Sequence, residues 1–122
     1  LETPAEKMLR SAAILAQDIE NSGLVVFTRS MRYPLLLSAL RSSQIPIFAF
    51  TDDESLYRQL QLIWGINPFY MIYTQDREES IQNALHVLKS KTWVQPGDRL
   101  VVITNVLART KVVESIQLRH VE

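Results

Sequence analysis

The feature that most constrains the fold of this chain is a set of four short, continuous apolar runs. A strand with one wet face shows alternating polar and apolar residues, whereas an uninterrupted apolar run fits a strand covered on both faces. Because helical patterns or turns separate the runs, the sequence predicts a parallel sheet between two layers of helices. The runs are Leu24–Phe27, Ile45–Phe50, Pro68–Ile72 and Leu100–Ile103.

The first helix has clear start and stop signals. Thr3 can serve as its N-cap, Pro4 occupies the first helical position, and Glu6 stands at capping-box spacing. Gly23 is the residue that we expect to end the helix in the left-handed conformation.

Three further helices follow the first three strands. Pro34 falls in the first turn of one of them, where a missing amide costs little. The face from Leu56 to Trp64 indicates another, closed by Gly65, and helical spacing predicts that Trp64 is a core residue. The third begins at Asp76, with Glu79 at capping-box spacing. We expect Trp93 to anchor a loop or the core.

The last segment, Ser115–His120, alternates between polar and apolar residues and predicts a strand with one wet face. About ten residues without a helical face separate it from the fourth strand, too few for a helical crossover. We therefore expect an antiparallel edge strand. The predicted fold is α/β: a three-layer α/β/α domain over residues 1–122, with a mostly parallel five-stranded sheet and an antiparallel C-terminal edge strand.

Composition limits the classes of partner. The 122 residues fit one domain, and the thirteen basic and thirteen acidic side chains balance. This balance argues against nucleic acid and membrane surfaces as partners, since both require a cationic field. No apolar run is long enough to span a bilayer. The absence of cysteine excludes thiol chemistry and fits a cytoplasmic location.

A threonine stands at or just after the end of each apolar run. Ligands of open α/β sheets bind along the carboxyl edge of the strands, so these hydroxyls are candidate binding groups. Threonine also suits strand ends and helix caps, and a purely structural interpretation is about as well supported. The four residues are Thr28, Thr51, Thr74 and Thr104.

The first of these corners contains the most binding chemistry. Thr28, Arg29, Ser30 and Arg32 place two hydroxyls and two guanidinium groups near a helix N-terminus, a combination suited to phosphate. The alternative is that Ser30 caps the helix while both arginines face water. A phosphate-binding turn usually contains glycine, and none occurs here.

No pattern indicates a catalytic residue or a metal site. Asp52 and Asp53 could hold a cation, but capping of the following helix explains them better. His86 and His120 lack partners at metal-ligand spacing. The residues therefore favour binding over catalysis.

Five segments together resemble the C-terminal domain of pyruvate kinase, over nearly the whole chain. The most specific is Tyr57–Pro68, with its arginine-glutamine-leucine start and glycine-proline end. The others are Thr28–Ser30, Ile45–Thr51, Pro96–Val102 and Glu114–Val121.

This resemblance implies a parent enzyme that transfers phosphoryl from phosphoenolpyruvate to ADP in glycolysis. The active site, with magnesium and potassium, would lie in a barrel domain outside this chain. The domain itself would carry no cofactor and no catalytic residue, and alone would show no phosphoryl transfer. It would hold an allosteric site and an interface of a homotetramer, in which the edge strand pairs across subunits.

The same resemblance implies an effector site for a sugar phosphate or nucleotide. Met31 and Tyr33 stand where the family's turn commonly has glycine and a hydroxyl residue, and the loop Asn105–Lys111 lacks the family's glycines. We therefore expect a different, weaker or absent effector. The candidate effector-binding residues are Thr28, Arg29, Ser30, Arg32, Thr104 and Arg109.

Two other functions remain open on the sequence. One is a stand-alone domain of this fold that binds a phosphorylated metabolite. The other, less favoured, is a phosphotransfer receiver or small enzyme built on Asp52 and Asp53.

Overall fold

The computed structural model describes residues 3–40, 44–104 and 116–122. Helices and strands alternate along most of these ranges. In chain order they are α1 (Pro4–Asp18), β1 (Ser22–Phe27), α2 (Arg32–Leu40), β2 (Ile47–Thr51), α3 (Glu54–Leu60), β3 (Ile66–Tyr70), α4 (Arg77–Ser90), β4 (Arg99–Ile103) and β5 (Ile116–His120).

The strands form one sheet in the order β3-β2-β1-β4-β5. β1 to β4 run parallel, and β5 pairs antiparallel with β4, with Ile116 opposite Ile103. Residues of α1, α2 and α3, such as Leu9, Leu37 and Leu60, pack against one face of the sheet. α4 covers the other face. The predicted α/β class, mostly parallel sheet and antiparallel edge strand are confirmed.

Both predicted helix starts are confirmed by their hydrogen bonds. The Thr3 hydroxyl accepts from the Glu6 amide at 3.2 Å, and Pro4 is the first residue of α1. The Asp76 carboxylate accepts from the amides of Glu78 and Glu79 at 2.9 and 3.4 Å. These caps satisfy N–H groups that the first turn of a helix leaves unpaired.

The predicted role of Gly23 is wrong. The left-handed residue after α1 is Asn21, with φ of 55°, and Gly23 lies inside β1. A Cβ on Gly23 would approach Leu100 Cδ2 and Phe48 Cε2 at 3.2 Å. Close packing at the start of β1, rather than backbone conformation, is what makes glycine suitable there.

The third strand differs most from its prediction. It spans Ile66–Tyr70, two residues earlier than expected, and most of its side chains are half-buried because it forms one edge of the sheet. α3 already ends at Leu60, so Trp64 lies in the following loop and is 80% exposed rather than in the core. Trp93 does anchor its loop, against Phe48 and Phe69.

β5 is an edge strand, but its faces are not divided into wet and dry as predicted. Leu118 is exposed, whereas Arg119 is half-buried. The Arg119 guanidinium reaches across to α4 and holds the Glu78 carboxylate with two bonds of 2.6 and 2.7 Å. These two hydrogen bonds hold the Arg119 side chain against α4. The alternation of residue types does not predict this contact.

Candidate functional site

The sheet order determines where a ligand crevice would lie. After β1 the chain adds β2 and β3 on one side, and then returns to place β4 on the other side of β1. In open α/β sheets the crevice forms at such a reversal, beyond the carboxyl ends of the two diverging strands. Thr28 and Thr104 directly follow β1 and β4, and both are buried.

The turn after β1 is organised by Thr28. Its hydroxyl donates to the Ser30 carbonyl at 2.7 Å and accepts from the Ser30 amide at 3.1 Å. Ser30 is exposed, and α2 begins two residues later, at Arg32. Thr28 therefore uses its hydroxyl within the turn itself.

The Arg29 side chain extends from the turn after β1 toward the end of β2. Its Nε and Nη2 donate to the two carboxylate oxygens of Asp52 at 3.1 and 2.9 Å. The guanidinium carbon also lies 5.3 Å from the ring centre of Tyr73. The hydrogen bonds to Asp52 raise the pKa of Arg29 above its ordinary value. Arg29 is thus held by a paired carboxylate and an aromatic face.

Tyr73 is a contributor to this rim that the sequence analysis missed. Its hydroxyl donates to the Phe50 carbonyl at 2.6 Å, accepts from the Thr28 amide at 3.1 Å, and lies 3.2 Å from the Thr28 carbonyl. Burial raises the pKa of the Tyr73 phenol, so it stays a hydrogen-bond donor. The Tyr73 hydroxyl connects the ends of β1 and β2, and no local sequence pattern predicts this long-range contact.

Arg32 turns toward α1. Its Nη2 donates to Glu6 Oε1 at 2.6 Å, and this hydrogen bond lowers the pKa of the Glu6 carboxyl. Glu6 also accepts from the Thr3 hydroxyl at 3.2 Å. The second arginine of the corner is therefore tied to the capped first turn of α1.

The structure thus brings Thr28 and Ser30 into one turn and directs the two arginines toward different carboxylates. Thr104 directly follows the neighbouring strand β4, and Arg109 lies outside the described residues. The two described arginines of the expected anion site, Arg29 and Arg32, each have an acidic partner from this chain.

Thr51 and Thr74 also use their hydroxyls in turn-forming hydrogen bonds, as Thr28 does. The Thr51 hydroxyl accepts from the Asp53 amide at 3.2 Å. The Thr74 hydroxyl donates to the Asp76 carbonyl at 2.9 Å and lies 3.1 Å from Ser80 Oγ. Thr74 follows the end of β3 by four residues, so it shapes the entry to α4 rather than the end of a strand.

Of the acidic pair, Asp53 has the predicted capping role and Asp52 does not. Asp53 is the N-cap of α3, accepting from the Leu56 amide at 3.2 Å, and Asp52 binds Arg29. Within residues 3–40, 44–104 and 116–122, no group of three or more metal-ligating side chains is placed to hold an ion. His86 Nε2 lies 3.3 Å from the Ser90 hydroxyl on the same helix.

Comparison with known proteins identifies the family. Residues 6–114 match the model of the pyruvate kinase alpha/beta domain. The chain is 32% identical over 117 residues to pyruvate kinase isozyme A, chloroplastic, of Nicotiana tabacum, covering 96% of this chain and 18% of that one. The protein of the same name from Ricinus communis is also 32% identical over 117 residues.

A solved structure shows the same fold. Cryptosporidium parvum pyruvate kinase in complex with ADP superposes with a TM-score of 0.87 at 20% identity, covering the whole of this chain and 24% of that one. The chain spans about a fifth of the length of the curated relatives first matched. No helix in the described ranges is long and apolar enough to cross a membrane. By the family match and the identity to these relatives, the chain belongs to the pyruvate kinase family, as its alpha/beta domain.

Proposed function

We propose that this chain is the regulatory and oligomerisation domain of a pyruvate kinase, and that it binds a phosphorylated effector weakly or not at all. The parent enzyme would transfer phosphoryl from phosphoenolpyruvate to ADP. The observation that carries the weak-effector proposal is the pairing of Arg29 with Asp52 and of Arg32 with Glu6.

An incoming phosphate would have to compete with these carboxylates. Both offer the guanidinium groups the charge-assisted hydrogen bonds that a phosphate would offer. The carboxylates are also close to the arginines in the same folded chain, so a free anion pays an association cost that they do not. Met31 and Tyr33 pack against the core under this turn, where a glycine would leave room for close backbone approach.

Oligomerisation would use the β5 edge. β5 pairs with β4 on one side only, and an unpaired strand edge is a template for pairing with another strand. We propose that two copies of the parent chain meet there within a homotetramer. Analytical ultracentrifugation of the full-length parent chain, called the longer polypeptide below, tests this oligomerisation. A monomer that forms no larger species would contradict it.

In this proposal the phosphoryl transfer takes place in the barrel domain of the parent enzyme. We assign magnesium and potassium to the barrel of the parent enzyme, and no cofactor or catalytic residue to this domain. We also propose a cytoplasmic location, which imaging of a fluorescent fusion of the full gene product would test. A plastid signal would contradict it and match the relatives named as chloroplastic.

Two measurements test the function. The longer polypeptide should convert phosphoenolpyruvate and ADP to pyruvate and ATP, whereas the 122-residue chain alone should not. Calorimetric titration of a panel of sugar phosphates and nucleotides should show weak binding or none. Absence of transfer by the longer polypeptide would favour a stand-alone binding domain, and tight binding of fructose 1,6-bisphosphate would contradict the weak-effector proposal.

A further inference from the structure

Both histidines of the chain lie in the same part of the molecule. His86 on α4 and His120 on β5 line a groove of about 520 Å³ between this helix and the strand at the edge of the sheet. Imidazole is the side chain whose charge changes between about pH 5 and pH 8. The side chains that can change charge in this pH range are therefore concentrated beside one edge of the sheet.

The open edge of β5 has the backbone groups that strand pairing requires. The Val121 amide donates to the Asp98 carbonyl at 2.9 Å, so Val121 and the alternate residues before it direct their backbone groups toward β4. The positions between them, Ile116, Leu118 and His120, therefore direct N–H and C=O groups away from β4. β5 of a second copy can bond to these groups in an antiparallel pair related by a two-fold axis.

Such a pair would bring two copies of the groove close together. The two-fold axis that relates antiparallel strands of one continuous sheet is perpendicular to that sheet, so α4 of both copies would lie on the same face. The groove borders β5, which is the strand nearest this axis. A charge gained by His86 or His120 is therefore gained on both sides of the contact between the copies.

Positively charged side chains surround the histidines. Lys89 and Arg119 line the same groove, and Arg99 stands opposite His120 in the pairing of β4 with β5. Of the described residues that line the groove, one is acidic, Glu122. Protonated imidazoles would therefore add positive charge to surroundings that are already rich in cations.

The acidic groups near the groove are not bonded to the histidines. Two hydrogen bonds from Arg119 engage the Glu78 carboxylate, in the first turn of α4. Nε2 of His86 lies 3.3 Å from the hydroxyl of Ser90, a neutral group. Within the described ranges, protonation of the histidines is thus not compensated by a bonded carboxylate, and like charges on the two copies repel each other.

We propose that His86 and His120 make self-association through β5 sensitive to pH, so that the assembly is weaker near pH 6 than near pH 8. This inference rests on the proposed function, in which two copies pair at β5. On acidification across this range, each copy gains up to two positive charges beside the contact. About 1 M salt should suppress the effect, because the Debye length then falls to about 3 Å.

Analytical ultracentrifugation of the longer polypeptide near pH 8 and near pH 6 tests this inference. The dissociation constant of the wild-type assembly should be about three- to tenfold higher at the lower pH. The double variant His86→Gln, His120→Gln stays neutral and should lose most of this dependence. The double variant His86→Lys, His120→Lys stays charged and should associate weakly at both pH values. Both histidines are exposed, so the fold should tolerate these changes, and Asn83→Lys, on α4 outside the groove, is the control for added charge.

The outcomes separate this inference from the proposed function. An equal pH dependence in the wild type and the double glutamine variant would overturn the inference, as would tight association of the double lysine variant. Pairing at β5 would remain supported in both cases, because the assembly still forms. Absence of association at every pH would contradict the proposed oligomerisation and this inference together, whereas the kinase assay tests the parent enzyme independently of both.

Discussion

The sheet rim around Thr28 and the loop between α3 and β3 present different side chains at the surface: paired charges at the rim and large apolar groups on the loop. At the rim, Arg29 and Arg32 each bind a carboxylate of the same chain. On the loop, Leu62 and Trp64 stay largely exposed although the backbone that holds them is ordered. Arginines that already bind carboxylates of their own chain are weaker evidence for an anion site than their residue type and spacing suggest.

The largest expected effect concerns the hydrogen bonds that brace the rim. Tyr73→Phe removes a hydroxyl that contacts Phe50 and Thr28, and should lower the free energy of unfolding by about 1–3 kcal/mol. Urea denaturation of the chain measures this loss. Tyr70→Phe is the control, since Tyr70 is exposed at the end of β3. A neutral Tyr73→Phe would show that the rim does not depend on this contact.

A smaller effect is expected for the ion pair between Arg119 and Glu78, which lies outside both the rim and the loop between α3 and β3. Hydrogen bonds from Arg119 lower the pKa of Glu78 from 4.5 to about 2. A lowered pKa stabilises the fold above the unfolded value, and this stability is lost as the pH falls from about 4.5 toward 2. Because Glu78 is more than half exposed, solvent screening limits the loss to about 1 kcal/mol or less. Glu78→Gln should flatten that part of the pH–stability curve, and an unchanged curve would contradict the pairing.

The smallest effects are at the rim arginines. Asp52→Asn and Glu6→Gln each remove the charged partner of one guanidinium, and exposed ion pairs contribute little to stability. Each variant should therefore bind inorganic pyrophosphate about two- to fivefold more tightly than the wild-type chain. NMR titration of the Thr28 and Ser30 amides gives the affinities. Glu54→Gln, at an exposed position of α3, should leave them unchanged.

The sequence predicted the fold well wherever the signal was local. Continuous apolar runs located the four parallel strands, and Thr3 and Asp76 marked helix starts through side-chain bonds spanning two or three residues. Prediction was wrong where packing decides the outcome. Glycine fits at position 23 because Leu100 and Phe48 pack close to it in space. Trp64 lies outside α3, which ends at Leu60 before the chain turns into the edge strand β3.

The sequence analysis placed the candidate residues after the apolar runs, but it did not predict their hydrogen-bond partners. The strand order, which it also did not predict, places Thr28 and Thr104 at the sheet reversal. The carboxylates that bind the arginines come from residues distant in sequence: Asp52 follows β2, and Glu6 lies in the first turn of α1. No spacing rule links these residues to Arg29 or Arg32, so the pairing emerges only once the sheet is assembled.

The most direct test of the central claim is a calorimetric titration of fructose 1,6-bisphosphate into the wild-type chain and into the double variant Glu6→Gln, Asp52→Asn. If the chain's own carboxylates occupy the arginines, the wild type should bind weakly or not at all, and the double variant more tightly. Tight binding by the wild type, or a double variant that binds no better, would contradict the account.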